Sequence, residues 1–279
     1  MHYPLITVTI PSYNHAKFIL SALNSVLAED YPNKEIVIID DGSTDGSAAI
    51  IQQWVDANKD NIPVTYLSRA NKGLAFTINE LIAIANGEYI AWLASDDVFC
   101  NNGFTKRIKA LQGTNKMVAI GDCIVIDDNG VTTHRSWMKD VMKRDVNQYK
   151  TDEGIMKEIL QNPAISGSVL LIKKEVYKKI GNYLQNFYAE DIYFYQRCAA
   201  KKYIVYIDEV VSEYRRHDTN ASGSDLSKGK RIIKSIIKSY WMNWRLFPGL
   251  YMKGLALKQL LKWKYSYFRT YVISKKYNN

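Results

Sequence analysis

Short β-branched runs alternate with stretches of helical spacing through the first hundred residues. Residues 5–10, 35–39, 64–67 and 89–94 are compact apolar runs that predict strands, and residues 16–27, 47–55 and 75–85 repeat apolar positions at helical intervals. Strand and helix in strict alternation give a parallel sheet with helices on its faces. The polar residues that follow each strand then gather at the C-terminal edge of the sheet, where open α/β folds bind ligands. The pattern loosens from residue 104 to 162, with a predicted strand over 117–126, a turn at Asp127-Asp128-Asn129-Gly130 and a helix over 153–160. A buried strand over 168–172, helices over 174–180 and 191–200 and a strand over 204–211 complete the body. This divides residues 1–224 into a ligand-binding half, 1–103, and a second half, 104–224.

Charge adds a third region. Of the 279 residues 47% are apolar, enough for one substantial core. The formal charge of +9 is unevenly placed: residues 225–279 hold 13 Lys or Arg and one acid, Asp225, whereas residues 1–224 hold 24 basic and 27 acidic residues. The basic segment is interleaved with rings, among them Trp241, Trp244, Trp263, Tyr265 and Tyr271. Basic, ring-rich helices suit the headgroup zone of an anionic leaflet; helices packed on the body or on a second subunit account for the same composition. No nucleic-acid motif accompanies the charge and the body is acidic, so nucleic acid is not an expected partner. Met1-His2-Tyr3-Pro4 leads directly into a strand pattern, and lysines interrupt every long apolar run. The expected location is therefore cytoplasmic and peripheral to the inner face of the cell membrane. Cys100, Cys123 and Cys198 form no CxxC pair and read as reduced core thiols.

Four clusters carry candidate chemistry. Pro11-Ser12-Tyr13-Asn14 follows the first strand, where Pro11 is expected to end the ladder and Tyr13 to present a ring that can stack on a base; an ordinary strand-to-helix turn reads the same way. Asp40-Asp41-Gly42-Ser43-Thr44-Asp45 follows the second strand with two adjacent acids. Asp41 can accept the imide N–H of a pyrimidine while Ser43, Thr44 or Asp45 caps the next helix. Ser95-Asp96-Asp97 ends the fourth strand, and Asn71-Lys72-Gly73 opens the helix before it. Paired carboxylates there make a hard-oxygen site for Mg²⁺ or Mn²⁺, or a solvated turn. Finally, Glu190-Asp191 opens a helix and Tyr214-Arg215-Arg216-His217 follows the last strand. A carboxylate at Asp191 can take a proton from a hydroxyl, and the same pair can serve as an N-terminal cap.

In this order and spacing the clusters resemble glycosyltransferase family 2, with its PSYN-like start, DDGSTD element, NxG helix entry, xDD motif, ED pair and late YRxH. The resemblance runs from residue 4 to about 222. It implies a GT-A fold, a Rossmann-like and mostly parallel sheet flanked by helices, here with a basic helical C-terminal extension. It also implies an inverting transfer of sugar from a nucleoside diphosphate, UDP favoured, to a glycan or lipid-linked acceptor in bacterial surface polysaccharide or glycolipid synthesis. By the same resemblance Pro11, Tyr13, Asn14, Asp41, Asn71, Lys72 and Gly73 contact the nucleotide sugar, and Asp96 the ribose or donor sugar. Asp97 and His217 hold Mn²⁺ or Mg²⁺, Asp191 is the base, and Glu190 and Ser168 lie on the acceptor side. The chain departs from the pattern at Ala94, where many relatives carry an acid, and at Thr77-Ile78-Asn79, which replaces Ala-Arg-Asn and removes a cation; Arg216-His217 is retained. Two rival readings are a nucleotidyltransferase, which would show a Gly-rich basic triphosphate loop, and a catalytically silent binding subunit, which has no need of Asp97, Asp191 and His217. The absence of GxGxxG after the first strand argues against a dehydrogenase.

Overall fold

A computed structural model describes residues 3–218 and 226–270. Its first half is the expected parallel unit. Strand β1 (Ile6–Ser12) lies between β2 (Lys34–Asp40) and β4 (Tyr89–Trp92), and β3 (Val64–Ser68) flanks β2, all parallel. Helices α1 (Ile19–Ala28), α2 (Ser47–Asn58) and α3 (Leu74–Ile84) make the crossovers. Side chains alternate across the pleat, so Ile36 and Ile38 of β2 join one core with Ile6, Val8 and Ile10, whereas Val37 and Ile39 meet Leu81 of α3 on the other face.

Pro11 does not end the ladder as expected; it sits inside β1, opposite Ile39. Thr9, two residues earlier, turns its carbonyl toward β4 and accepts from Leu93 N–H. Pro11 therefore faces the same side, beyond the last β1–β4 pair at Thr9 and Trp92, where no N–H is needed.

The second half is mixed rather than mostly parallel. After β5 (Val98–Phe99), which still falls in residues 1–103, come α4 (Gly103–Leu111), β6 (Val118–Ile126), β7 (Thr132–His134), α5 (Asp152–Gln161), β8 (Leu170–Lys173), α6 (Val176–Ile180), α7 (Glu190–Ala200) and β9 (Ile204–Arg215). The strand order is β3-β2-β1-β4-β8-β6-β9-β5, with β7 on β6. Strand β8 is antiparallel to both β4 and β6, and β9 runs parallel to β6. The start of β8 thus arrives at the same sheet edge as the ends of β1, β2, β4, β6 and β9. Helix α4 escapes the sequence pattern because its inner face includes Arg107, fully buried beside Phe104, Ile108 and Leu111, with its guanidinium on the carbonyls of Gly103 (2.9 Å) and Leu170 (3.0 Å).

The basic segment folds as a helical hairpin, α8 (Leu226–Asn243) and α9 (Gly249–Phe268), packed on α5 and α7. Ile236, Tyr240, Phe247, Met252, Ala256 and Leu260 are buried in the core that also holds Ile159 and Phe194. Each large apolar side chain so buried contributes about 1.5–3 kcal/mol. Tyr240 Oη donates to Leu160 O, and Gln196 Oε1 accepts from Ser239 Oγ (2.7 Å) and Asn243 Nδ2 (3.1 Å). Asp225, Tyr271 and the expected boundary at 224 lie outside the described residues. Among the described residues no helix is long and apolar enough to cross a membrane.

Candidate active site

The loops after β1 and β2 are stitched to each other. Asn14 adopts φ 54°, a left-handed conformation that asparagine tolerates. Its N–H donates to Ser43 Oγ (2.9 Å) and its Oδ1 accepts from Thr44 N–H (2.8 Å). Asp40 accepts from Ser43 N–H (3.0 Å), and Asp45 accepts from Ala16 and Ser47 N–H (2.9 and 3.0 Å). Asn14 thus acts within the protein, fixing the loop, while Tyr13 beside it leaves its ring 49% exposed at the sheet edge.

Asp41 is the anchor of the next loop. Its Oδ1 accepts from Lys72 N–H (2.8 Å) and the Arg69 guanidinium, and its Oδ2 from Gly73 N–H (2.9 Å). A carboxylate offers about four lone-pair positions, so roughly one remains for a ligand N–H. Gly73 takes φ 87° and ψ 156° at the head of α3, a region open only to glycine, and a Cβ on Gly42 would lie 2.8 Å from Asn71 N. Arg69 also reaches Glu80 Oε2 (2.8 Å) and Thr77 Oγ1 (2.9 Å). A guanidinium from the end of β3 therefore stands at the Thr77 position, beside the buried Ile78 that carries no charge.

Asp96 and Asp97 part company. Asp96 Oδ2 lies 3.0 Å from His217 Nε2 and 3.8 Å from His15 Nε2. His15, Asp96 and His217 place one ligand atom each within 4.8 Å of one another, the arrangement among the described residues that can close on a cation. Neighbouring ligands at about 2.1 Å around an octahedral ion are separated by about 3 Å, which the Asp96–His217 pair matches and the 3.8 Å Asp96–His15 pair exceeds. His15 Nδ1 is held by Ser95 Oγ at 2.7 Å, which directs Nε2 toward Asp96. Burial lowers the His15 pKa, against the opposing effect of Asp96, and so favours the neutral ring that ligates. His217 packs on Phe18, ring centroids 4.7 Å apart.

Asp97 turns inward instead. Its Oδ2 accepts from Ser168 Oγ (2.5 Å) and its Oδ1 from Arg215 N–H (2.9 Å), and burial together with Asp96 pushes its pKa up to about 8. Arg215 also bonds the Asp96 carbonyl through Nε (2.9 Å). Asp97 thus ties β4 to β8 and β9; Asp96, not the Asp97 expected to hold the metal, is the carboxylate that joins the two histidines. Ser168, expected on the acceptor side, is fully buried between Ala94 N–H (3.1 Å) and Asp97. His15 was missed, although it directly follows Asn14 at the productive sheet edge; its position there was the available signal.

Glu190 and Asp191 open α7. Burial, then the neighbouring Asp191, raises Glu190 to about 7; burial also raises Asp191, which accepts from Ile192 N–H (2.7 Å). Asp191 nonetheless remains exposed, so protein surrounds a group that water still reaches. The segment leading to it is pinned to α3 and the end of β4. Asn79 of α3 exchanges two bonds with the Tyr183 backbone (2.8 and 3.0 Å), and the Tyr183 ring lies 5.7 Å from Trp92 at the end of β4.

Strand-end loops over a Rossmann-like sheet and a His/Asp cluster at its edge fit a GT-A glycosyltransferase architecture, and solved structures agree on the fold. The Staphylococcus aureus TarS fragment 1–349 with UDP-GlcNAc superposes with a TM-score of 0.72 at 18% identity, over 97% of this chain and 75% of that one. The mannosyltransferase PcManGT of Pyrobaculum calidifontis with GDP-Man and Mn²⁺ gives 0.66 at 17% identity, over 96% and 76%. Residues 7–181 match the model of Glycosyl transferase family 2, and the chain belongs to that family. An uncharacterized glycosyltransferase of Rickettsia typhi is 27% identical over 81% of this chain and 68% of its own length. Glycosyltransferase GlyG of Streptococcus pneumoniae is 26% identical over 84% and 79%. The putative teichuronic acid biosynthesis glycosyltransferase TuaG of Bacillus subtilis is 38% identical, over 38% of this chain and 41% of its own length.

Proposed function

We propose that this glycosyltransferase moves a sugar, with inversion, from a uridine diphosphate sugar to a hydroxyl of a glycan or lipid-linked acceptor in surface polysaccharide or glycolipid assembly. The observation that carries the reading is the His15–Asp96–His217 cluster at the C-terminal sheet edge, beside the Tyr13 and Asp41 loops. Two imidazoles and one carboxylate suit Mn²⁺ better than the Mg²⁺ also considered, since Mg²⁺ prefers oxygen ligands. When bound, such an ion supplies charge stabilisation to the departing diphosphate. Tyr13 offers a ring to the base, and the remaining lone pair of Asp41 suits the imide N–H of uracil. Asp191 accepts the proton of the acceptor hydroxyl as its oxygen bonds to the anomeric carbon, and the electron pair of the breaking C–O bond goes to the diphosphate. Reactivity at Asp191 requires the ionised form, so the raised pKa gives a stronger base without a change of residue.

Thermal shift against a panel of nucleotide sugars, with Mn²⁺ and with chelator, tests the donor assignment. UDP-sugars should stabilise the chain only with Mn²⁺, and metal-independent or GDP-only stabilisation would reject it.

A further inference from the structure

The α8–α9 hairpin buries one side in the core and presents another that is unusual for a solvated surface. On α9, Leu250, Gly254, Lys258, Leu261, Tyr265 and Phe268 follow one another at three- and four-residue intervals along one exposed stripe, with Leu250 90%, Leu261 65% and Tyr265 66% exposed. On α8 and the turn after it, Arg231, Lys234, Lys238, Trp241 and Arg245 recur the same way and are exposed. This stripe meets α9 at residues flanking the α9 stripe: Lys264 Nζ lies 5.8 Å from the Trp241 ring and Lys234 Nζ 5.8 Å from the Tyr267 ring. No Asp or Glu occurs anywhere in residues 226–279 to neutralise the cations.

We propose that this outer face of the hairpin docks on a lipid surface carrying anionic headgroups. Rings and leucines flanked by unneutralised cations fit the boundary between headgroups and acyl chains, with the charge complementary to the anionic layer. A second copy of the chain is a poorer occupant, because a two-fold contact through this face would set cations against cations. The docked face also leads toward the reactive carboxylates. Arg231 Nη1 donates to Tyr188 Oη (3.1 Å) and Tyr188 N–H donates to Ser235 Oγ (3.1 Å), two residues before Glu190. A lipid-linked acceptor would thus be delivered on the Asp191 side, a corollary that rests on the proposed transfer reaction; the docking itself does not.

Removing residues 225–279 would expose core side chains, so the full chain is the proper test object. Its sedimentation with phosphatidylglycerol–phosphatidylcholine vesicles is compared with pure phosphatidylcholine vesicles, at about 0.1 M and about 0.5 M salt. Two variants, Leu261→Ser/Tyr265→Ser/Phe268→Ser and Lys258→Gln/Lys262→Gln/Lys264→Gln, probe rings and charge separately. Binding should need the anionic lipid, weaken with salt and fall about tenfold or more in each variant that keeps the wild-type circular dichroism spectrum. Should one variant fail to fold, the other decides. Equal binding by a folded variant, no anionic preference, or no vesicle binding together with an oligomer that the ring variant dissolves would overturn the proposal. None of these readouts depends on turnover, so a failed transfer assay would count against the proposed reaction alone.

Discussion

The loops after β1 and β2 and the head of α7 hold their polar groups in opposite ways. Around Tyr13, Asp41 and the loop at Lys72, short side chains and backbone N–H groups satisfy one another: Asn14 with Ser43 and Thr44, and Asp41 with Lys72, Gly73 and Arg69. At the head of α7, burial raises the pKa values of Glu190 and Asp191, and of the two carboxylates only Asp191 accepts from another residue among the described residues, the adjacent Ile192 N–H. The first arrangement is fixed before any ligand arrives, which limits the ordering cost of nucleotide binding. The second leaves Asp191 exposed at a helix end, where on the proposed mechanism it meets the acceptor hydroxyl.

Separating these regions by mutation gives effects of decreasing size. Asp191→Asn should lower transfer about a thousandfold, with UDP and Mn²⁺ affinity measured by calorimetry unchanged; a matching loss of donor affinity would place Asp191 at the donor. His15→Ala should weaken Mn²⁺-dependent UDP binding by about 10- to 100-fold while circular dichroism stays unaltered. An affinity equal to wild type would remove His15 from the cation site. The pH dependence should be milder. A raised pKa means that the ionised base is lost as pH falls through that raised value. The rate should therefore decline about tenfold per unit of pH on an acidic limb whose midpoint lies above the ordinary carboxylate range near 4. A limb at the ordinary value would show that the surroundings of Asp191 leave it unperturbed during turnover.

The first half was largely legible because its information is local. Alternating β-branched runs and turn residues set β1 to β4, and the strand-end motifs fall on one edge by topology alone. The antiparallel entry of β8 was not legible, because the short apolar run Leu170-Leu171-Ile172 carries no direction. Nor was the fate of the Asp96-Asp97 pair. Which carboxylate turns inward is decided by Ser168, 71 residues away, and Arg215, 118 residues away, contacts with no trace in local pattern. Helix α4 was hidden by a buried arginine that reads as a surface residue. The basic segment yielded its helices and its charge, but the share of it that belongs to the core emerges only from packing against α5 and α7.

The division of labour between the two adjacent carboxylates is the centre of the account, and calorimetric titration of Mn²⁺ and UDP into Asp96→Asn and Asp97→Asn addresses it directly. Asp96→Asn should abolish metal-dependent UDP binding in a protein that melts normally. Asp97→Asn should retain that binding but melt earlier, having disturbed buried bonds worth about 1–3 kcal/mol. Retained binding in Asp96→Asn with loss in a stably folded Asp97→Asn would contradict the assignment.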